Sequence, residues 1–317
     1  MCDGAIIGGP KEPEVRRLAH CLEELGHPPL IIDASTFPQH HSLTFGDGSW
    51  RYGDHELNSV KAFFLRSLHC NKLTTSSAGE LNCHLHALRE KDSILGSLLR
   101  WAGAQGKLIL NPVDTLLCHF YKLDSLERLR NANIPIPSTL GTNDPNAVSE
   151  FAQSHKRLIC KPLAGGAEAI AISVDDLSPL FLAQLQNAPV MLQEQIYGDD
   201  IRVYVLGDQA IAAASLSTDH VDFRTGHQDF QTTTLTEAES ADVIHAAKLM
   251  SLNFAGIDFK RTKEGRHFIL DINPAPMFAG FEKITGLEIA SHIARYLVEK
   301  SMPDAFSTEA NGRSRHP

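Results

Sequence analysis

Residues 258–278 read DFKRTKEGRHFILDINPAPMF. Two apolar arms flank the turn-forming pair Glu264-Gly265, which is the texture of a β-hairpin. Yet Asp258 stands in the first arm, and Asp271 and Asn273 stand in the second. Strand side chains alternate between faces. Phe268, Leu270 and Ile272 therefore share one face, and Ile269, Asp271 and Asn273 share the other. A two-residue turn at Glu264-Gly265 sets Asp258 opposite Asp271, while a four-residue turn over residues 262–265 makes them diagonal neighbours. Either register gathers two carboxylates and an amide oxygen.

Facing like charges destabilise a strand pair, so loss of one acid should relieve repulsion. A hard divalent cation removes the same penalty. Mg²⁺ takes oxygen ligands and leaves positions for phosphate oxygens, and Mn²⁺ could replace it. The alternative is a half-exposed hairpin with a solvated acidic face.

The bulk numbers narrow the class. A chain of 317 residues exceeds what one core usually holds, so two or three lobes are expected. Its 43% hydrophobic and 21% charged residues are ordinary for a globular protein. A net charge of -9 argues against broad nucleic-acid binding. No apolar run approaches the roughly 20 residues of a membrane span. The start, MCDGAIIGGP, lacks a basic region and a cleavage site and is not read as a signal peptide. The six cysteines form no CxxC pair, so reduced thiols and a cytoplasmic location are expected. CHLHALRE brings Cys83, His84 and His86 together without further zinc ligands at a fitting spacing. It is read as a helix with a buried cysteine and solvated histidines.

Strands and helices alternate at the start: GAIIGG, EPEVRRLAHCLEELGH, PPLIIDAS, SVKAFFLRSL and GKLILNP. That order implies a parallel, helix-flanked sheet. From Asp114 the texture changes. A helix over DTLLCHFYKLDSLERLRN closes near residues 131–133, and DPNAVSEFAQSH, DDLSPLFLAQLQ, EAESADVIHAAKLM and GLEIASHIARYLVEK read as further helices. RLICKPL, PVMLQEQI and a hairpin turning at Gly207-Asp208 read as strands.

Five further pieces accompany the hairpin. Lys122 lies early in an amphipathic helix. Lys161 sits inside the apolar strand LICKPL, where a charge needs a partner. MLQEQIYGDD sets Gln193 and Asp200 seven residues apart, and DIR and DFR supply Arg202 and Arg224. In this order the set resembles the ATP-grasp superfamily, especially its RimK-type carboxylate ligases, from about Asn111 to Lys300.

The resemblance implies an α/β protein with an ATP-grasp fold, in which two α+β lobes clamp ATP behind a small parallel-sheet domain. The expected divisions are residues 1–112 for that domain, 113–189 for the lid lobe, 190–302 for the metal-bearing lobe and 303–317 for a flexible tail. Lys122 and Lys161 match the lysines on the α- and β-phosphates. Gln193 matches the side chain at the adenine amino group, and the backbone of Gln195 and Ile196 reads the adenine edge. Asp200 matches the acid on the ribose hydroxyls. Arg202 and Arg224 match the catalytic arginines facing the γ-phosphate and acyl-phosphate. Asp258, Asp271 and Asn273 match the metal ligands.

The implied reaction activates a carboxylate as an acyl-phosphate, releases ADP, and passes the acyl group to an amine, hydroxyl or thiol. Positive charge around the transferring phosphoryl group is what such chemistry asks of a protein.

The sequence departs from RimK-type ligases at several points. Asp271 replaces the commoner Glu, and LAGGAEAIAI carries only Gly165 and Gly166 in place of a longer glycine series. NPAPMFAGFE has Pro276-Met277-Phe278 for the usual Pro-Gly step, and no Lys or Arg lies between Ala210 and Arg224. The last two changes look like ligases of the microviridin (graspetide) type, which close ester or amide rings on ribosomal peptides. A peptide or protein substrate is therefore the leading expectation. The same chemistry on an amino acid or metabolite is the second reading, and a non-catalytic nucleotide-binding module the third. Assembly with further copies of the chain is left open.

Overall fold

The computed structural model describes residues 3–68, 78–155, 157–164, 168–217 and 229–301. The chain forms two compact units. One comprises Met1–Asp114, Met277–Lys283 and Leu287–Pro317, and the other Thr115–Pro276 with Ile284–Gly286.

The first unit opens with β1 (Gly4–Gly8), α1 (Pro13–Glu24) and β2 (Leu30–Asp33). A small antiparallel sheet follows, of β3 (Leu43–Gly46), β4 (Ser49–Tyr52) and β5 (His55–Glu56). Then come β6 (Ala62–Leu65), α2 (Ala78–Ala104) and β7 (Leu108–Leu110). The main sheet has the order β2-β1-β6-β7, with every neighbour parallel. Its central strands must be apolar on both faces. Ala5, Ile6 and Ile7 in β1 and all four residues of β6 are buried. Cys83, His84 and His86 lie in α2 and all three are exposed. The expected burial of Cys83 is corrected, because this turn of α2 covers no core.

A 3-10 segment, Val113–His119, spans the boundary at Thr115, and the second unit continues with α3 (Lys122–Asn131). Asn133, at φ 59°, turns the chain out of α3. Next follow β8 (Thr139–Thr142), α4 (Pro145–Ser154), β9 (Leu158–Lys161), β10 (Ile170–Ile172), α5 (Pro179–Gln184) and β11 (Val190–Glu194). Asp144 caps α4 and Ser178 caps α5. The four strands make an antiparallel sheet in the order β10-β9-β11-β8. Leu158, Ile172 and Leu192 pack with Val148 and Ala152 of α4 and with Leu185. Lys161, Gln193 and Thr139 belong to the opposite face, by strand alternation.

The same unit continues with β12 (Asp199–Leu206), β13 (Gln209–Ser217), β14 (Asp229–Thr232), α6 (Glu237–Leu249), β15 (Phe254–Arg261) and β16 (His267–Asn273). Its sheet runs β14-β13-β12-β15-β16. Ile201, Val203, Ile257, Phe259, Ile269 and Ile272 form the buried face, against Val243, Ala246 and Ala247 of α6 and Leu129 of α3. A capping box between Thr236 and Glu239 starts α6. The chain then returns to the first unit with the start of α7 (Ala279–Thr285) and with α8 (Ile289–Ser301). Helix α8 packs on α1, and Glu282 binds both Arg17 Nε at 3.2 Å and the Ala290 N–H at 2.6 Å.

Candidate active site

The face of the five-stranded sheet opposite its apolar core collects the charges. In register, Asp200 pairs with Lys260, Arg202 with Asp258, Asp258 with Asp271, and Gly256 with Asn273. The hairpin reaches this register by a route the sequence did not offer. Thr262 N–H donates to Arg266 O at 2.8 Å, Gly265 N–H donates to Thr262 O at 3.0 Å, and Gly265 has φ 79°. The loop is thus three residues, 263–265, with glycine at its left-handed position. Alone, that loop would set Asp258 opposite Leu270. A bulge between Asp258 and Phe259 makes Leu270 the extra residue and brings Asp271 opposite Asp258. It also breaks the expected alternation. Ile269 and Ile272 both join the core, at 0% and 5% exposure, so Ile272 does not share a simple face with Phe268 and Leu270.

The two facing acids do not stand bare. Arg202 donates from Nε to Asp258 Oδ1 at 2.8 Å and from Nη2 to Oδ2 at 2.7 Å. Lys122 Nζ donates to Asp271 Oδ1 at 2.8 Å. Lys122 is the first residue of α3, where the helix dipole disfavours a cation, and Asp271 offsets that penalty. Each of the two facing acids thus has a cation of its own, a pairing that the reading from their facing positions did not include. Burial works against the Arg202 charge, but Asp258 foremost, with Tyr204 and Asp271, raises the guanidinium above its ordinary value. Lys260 was not singled out in the sequence. It donates to Asp200 Oδ2 at 2.7 Å and to Gly198 O at 3.3 Å. Its position two residues after Asp258 was the available signal. Burial pushes Asp200 upward, with Lys260 opposing.

Lys161 ends β9 and donates to Gln193 Oε1 at 2.7 Å, and Gln193 Nε2 donates to Thr139 Oγ1 at 3.1 Å. Gln193 is buried at 1% exposure. Burial lowers the Lys161 ammonium below its usual 10.5, and the Asp271, Asp258 and Asp200 carboxylates oppose the fall while Lys122 adds to it. Gln195 and Ile196 lie between β11 and β12. The Gln195 N–H is committed to Arg157 O at 3.1 Å, which leaves its carbonyl as the group able to read a ligand edge. Met191, Lys122 and Asp271 line one small cavity with Cys118 and Ser125. Arg224, with Gly165 and Gly166, lies outside the described residues.

Among the described residues there is no group of three or more His, Cys, Asp or Glu side chains able to hold a metal. Asp258, Asp271 and Asn273 instead offer two carboxylates and one amide oxygen from adjacent positions on paired strands. Asn273 Oδ1 also accepts the Ala275 N–H at 2.9 Å, which fixes the amide. An all-oxygen set this small fits Mg²⁺, which usually takes one or two carboxylates and completes its shell with water and phosphate.

Residues 121–297 match the RimK-like ATP-grasp domain. A probable alpha-L-glutamate ligase of Vibrio atlanticus (strain LGP32) is 29% identical over 204 residues, covering 60% of this chain and 67% of the relative. Another from Teredinibacter turnerae (strain ATCC 39867 / T7901) is 25% identical over 81% of this chain and 93% of its own. The ATP-grasp ligase PsnB, solved in complex with its minimal precursor, superposes with a TM-score of 0.86 at 29% identity, covering 95% and 99% of the two chains. PsnB has also been solved with a precursor variant, Mg and ADP, and that structure matches with a TM-score of 0.85 at 28% identity, covering 94% and 98%. The macrocyclase MdnC of Microcystis aeruginosa MRC, bound with precursor peptide MdnA, shares the fold at 22% identity, with a TM-score of 0.79 over 93% and 99%.

Proposed function

The chain belongs to the RimK-like ATP-grasp family, and from that membership we propose an ADP-forming ligase that activates a carboxylate as an acyl-phosphate on a peptide or protein. The observation that carries the reading is the charged sheet face, where Asp258, Asp271 and Asn273 lie among Lys122, Arg202 and Lys260. ATP lies between the lid lobe of residues 113–189 and the lobe of residues 190–302. Lys122 and Lys161 hold the α- and β-phosphates. Gln193, the Gln195 carbonyl and the Ile196 N–H meet the adenine, and Asp200 holds the ribose hydroxyls. Asp258, Asp271 and Asn273 would hold Mg²⁺, which neutralises phosphate charge when bound.

In the protein alone, Lys122 and Arg202 neutralise the two acids. Phosphate oxygens can take over those cations, and the guanidinium fork suits them bidentately. Arg202 and Arg224 then stabilise charge on the γ-phosphoryl group while a carboxylate oxygen attacks phosphorus. The bond to the β-phosphate oxygen breaks and ADP leaves. The nucleophile next attacks the acyl carbon, loses its proton to solvent, and expels phosphate.

Two features support a peptide substrate. PsnB, a ligase solved with its precursor, matches nearly the full length of the chain. The stretch between Ala210 and Arg224 also lacks the cation usual in glutamate ligases. The curated glutamate-ligase relatives favour the second reading, an amino-acid substrate. No helix among the described residues is long and apolar enough to cross a membrane, and a cytoplasmic place, where ATP is supplied, suits the reading.

Incubation with Mg-ATP and separate peptide and amino-acid pools tests it. ADP, phosphate and a peptide product whose mass is that of its reactants together less one water are expected. Stoichiometric AMP and pyrophosphate would overturn the acyl-phosphate mechanism, and a product from the amino-acid pool alone would overturn the substrate class.

A further inference from the structure

We propose that Thr139 is a positioning residue for the nucleotide site, holding Lys161 in place through Gln193. The inference rests on the nucleotide reading of this site. Thr139 opens β8 and lies directly opposite Gln193 of β11, and Lys161 of β9 is the diagonal neighbour of Gln193. Three hydrogen bonds run along this face. Thr139 Oγ1 donates to Pro137 O at 2.8 Å, Gln193 Nε2 donates to Thr139 Oγ1 at 3.1 Å, and Lys161 Nζ donates to Gln193 Oε1 at 2.7 Å.

Both ends of the chain are single-function groups. A proline carbonyl only accepts, and an ammonium only donates. The single Thr139 proton is spent on Pro137, so its oxygen must accept, and it accepts from the Gln193 amide nitrogen. The amide oxygen is thereby turned toward Lys161. A flipped amide would set N–H against N–H⁺ at a residue that is 1% exposed, and buried mismatches of that kind are costly. One backbone carbonyl thus sets the direction of the whole relay. Lys161 keeps two N–H donors for phosphate.

The partner of Lys161 in the relay is neutral. A glutamate there would compete with phosphate for the ammonium, whereas an amide oxygen fixes its position and leaves its charge for the ligand. The charged groups acting on Lys161 are Asp271 of β16, Lys122 of α3, Asp258 of β15 and Asp200 of β12. Once Gln193 is unanchored, the ammonium loses its fixed acceptor, and its proton is held less tightly.

A purely structural role is the competing explanation: Thr139 could simply stitch β8 to β11. That role predicts lower stability for Thr139→Val with no change in proton linkage. The test is calorimetric titration with Mg-ADP from about pH 7 to about pH 10, which spans the range of a lowered lysine, on wild type, Thr139→Val and Thr139→Ser. Wild type is expected to bind, with affinity falling as pH rises. Thr139→Val should bind about fivefold more weakly at neutral pH, the scale of one lost hydrogen bond, and begin its alkaline fall at lower pH. Thr139→Ser should restore both. If wild type binds and Thr139→Val matches it in affinity and pH profile, the positioning role is wrong, whatever the change in melting temperature. If wild type binds no Mg-ADP at any pH, the nucleotide reading falls and the inference with it.

Discussion

Asp271 is asked to do two things. Without nucleotide its carboxylate holds the Lys122 ammonium at 2.8 Å, and with nucleotide it is proposed to hold the metal. The first role makes Asp271→Asn a destabilising change in the metal-free protein. The pair is only partly screened, with side-chain exposures of 15% and 34%, and an amide still accepts one hydrogen bond, so the expected loss is about 1 kcal/mol. Chemical denaturation without metal measures it. A mutant as stable as wild type would mean that repulsion between the facing acids outweighs the ion pair. Lys161 gives the second residue-scale expectation. Burial lowers its folded value below the usual 10.5, so between the two values the folded state binds fewer protons than the unfolded. Its contribution to stability therefore rises with pH across that window. Nucleotide affinity moves the other way, because phosphate needs the charged form. Mg-ADP binding near the lowered value should take up protons, visible as a dependence of the calorimetric heat on buffer ionisation enthalpy. Lys161→Met should abolish that uptake, and an unchanged uptake would assign the proton elsewhere.

At the scale of elements, two glycines mark where strands and loops approach too closely for a side chain. A Cβ on Gly198, at φ 156°, would lie 2.1 Å from Arg261 O, and one on Gly256 would lie 2.6 Å from Pro276 Cβ. Gly198→Ala meets backbone and should cost about 2 kcal/mol or more. Gly256→Ala meets a proline ring in the loop after β16, should cost about 1–2 kcal/mol, and should weaken metal binding by displacing Asn273, its register partner. Thermal unfolding with and without Mn²⁺-ADP separates the two effects. If Gly256→Ala loses stability but keeps Mn²⁺ affinity, Asn273 is not a ligand. The same scale shows what the chain made legible. The apolar runs GAIIGG and SVKAFFLRSL are long enough to declare a buried parallel sheet, and the hairpin at Gly207-Asp208 declared β12 and β13. Strands β3, β4, β5, β8 and β14 were not read, because each has four residues or fewer and little apolar alternation. The hairpin acids were legible, but the bulge at Leu270 was not, since an extra residue leaves no compositional mark. The ion pairs Lys122–Asp271 and Arg202–Asp258 span 149 and 56 residues and exist only once the sheet has formed. The Thr139 relay was hidden for the same reason.

For the whole molecule the claim is a ligase built around one charged sheet face, in a chain whose net charge is -9. The cations gathered there pair with Asp258, Asp271 and Asp200 in the protein alone, and in the proposed reading a bound polyanion takes them over. With a substrate carboxylate carrying a heavy-oxygen label, acyl-phosphate chemistry transfers one labelled oxygen to inorganic phosphate; label appearing in AMP would place the attack on the α-phosphorus instead. The assignment of the metal to Asp258, Asp271 and Asn273 underlies all of this, and it can be measured without knowing the substrate. Electron paramagnetic resonance of Mn²⁺ titrated into the protein with ADP reads metal bound at the site directly. Wild type is expected to bind Mn²⁺ in an ADP-dependent way, Asp271→Glu to keep part of that affinity, and Asp271→Asn to lose at least about tenfold, the low end of what even outer-shell changes at metal sites cost. Undiminished ADP-dependent Mn²⁺ binding by Asp271→Asn would contradict the metal assignment.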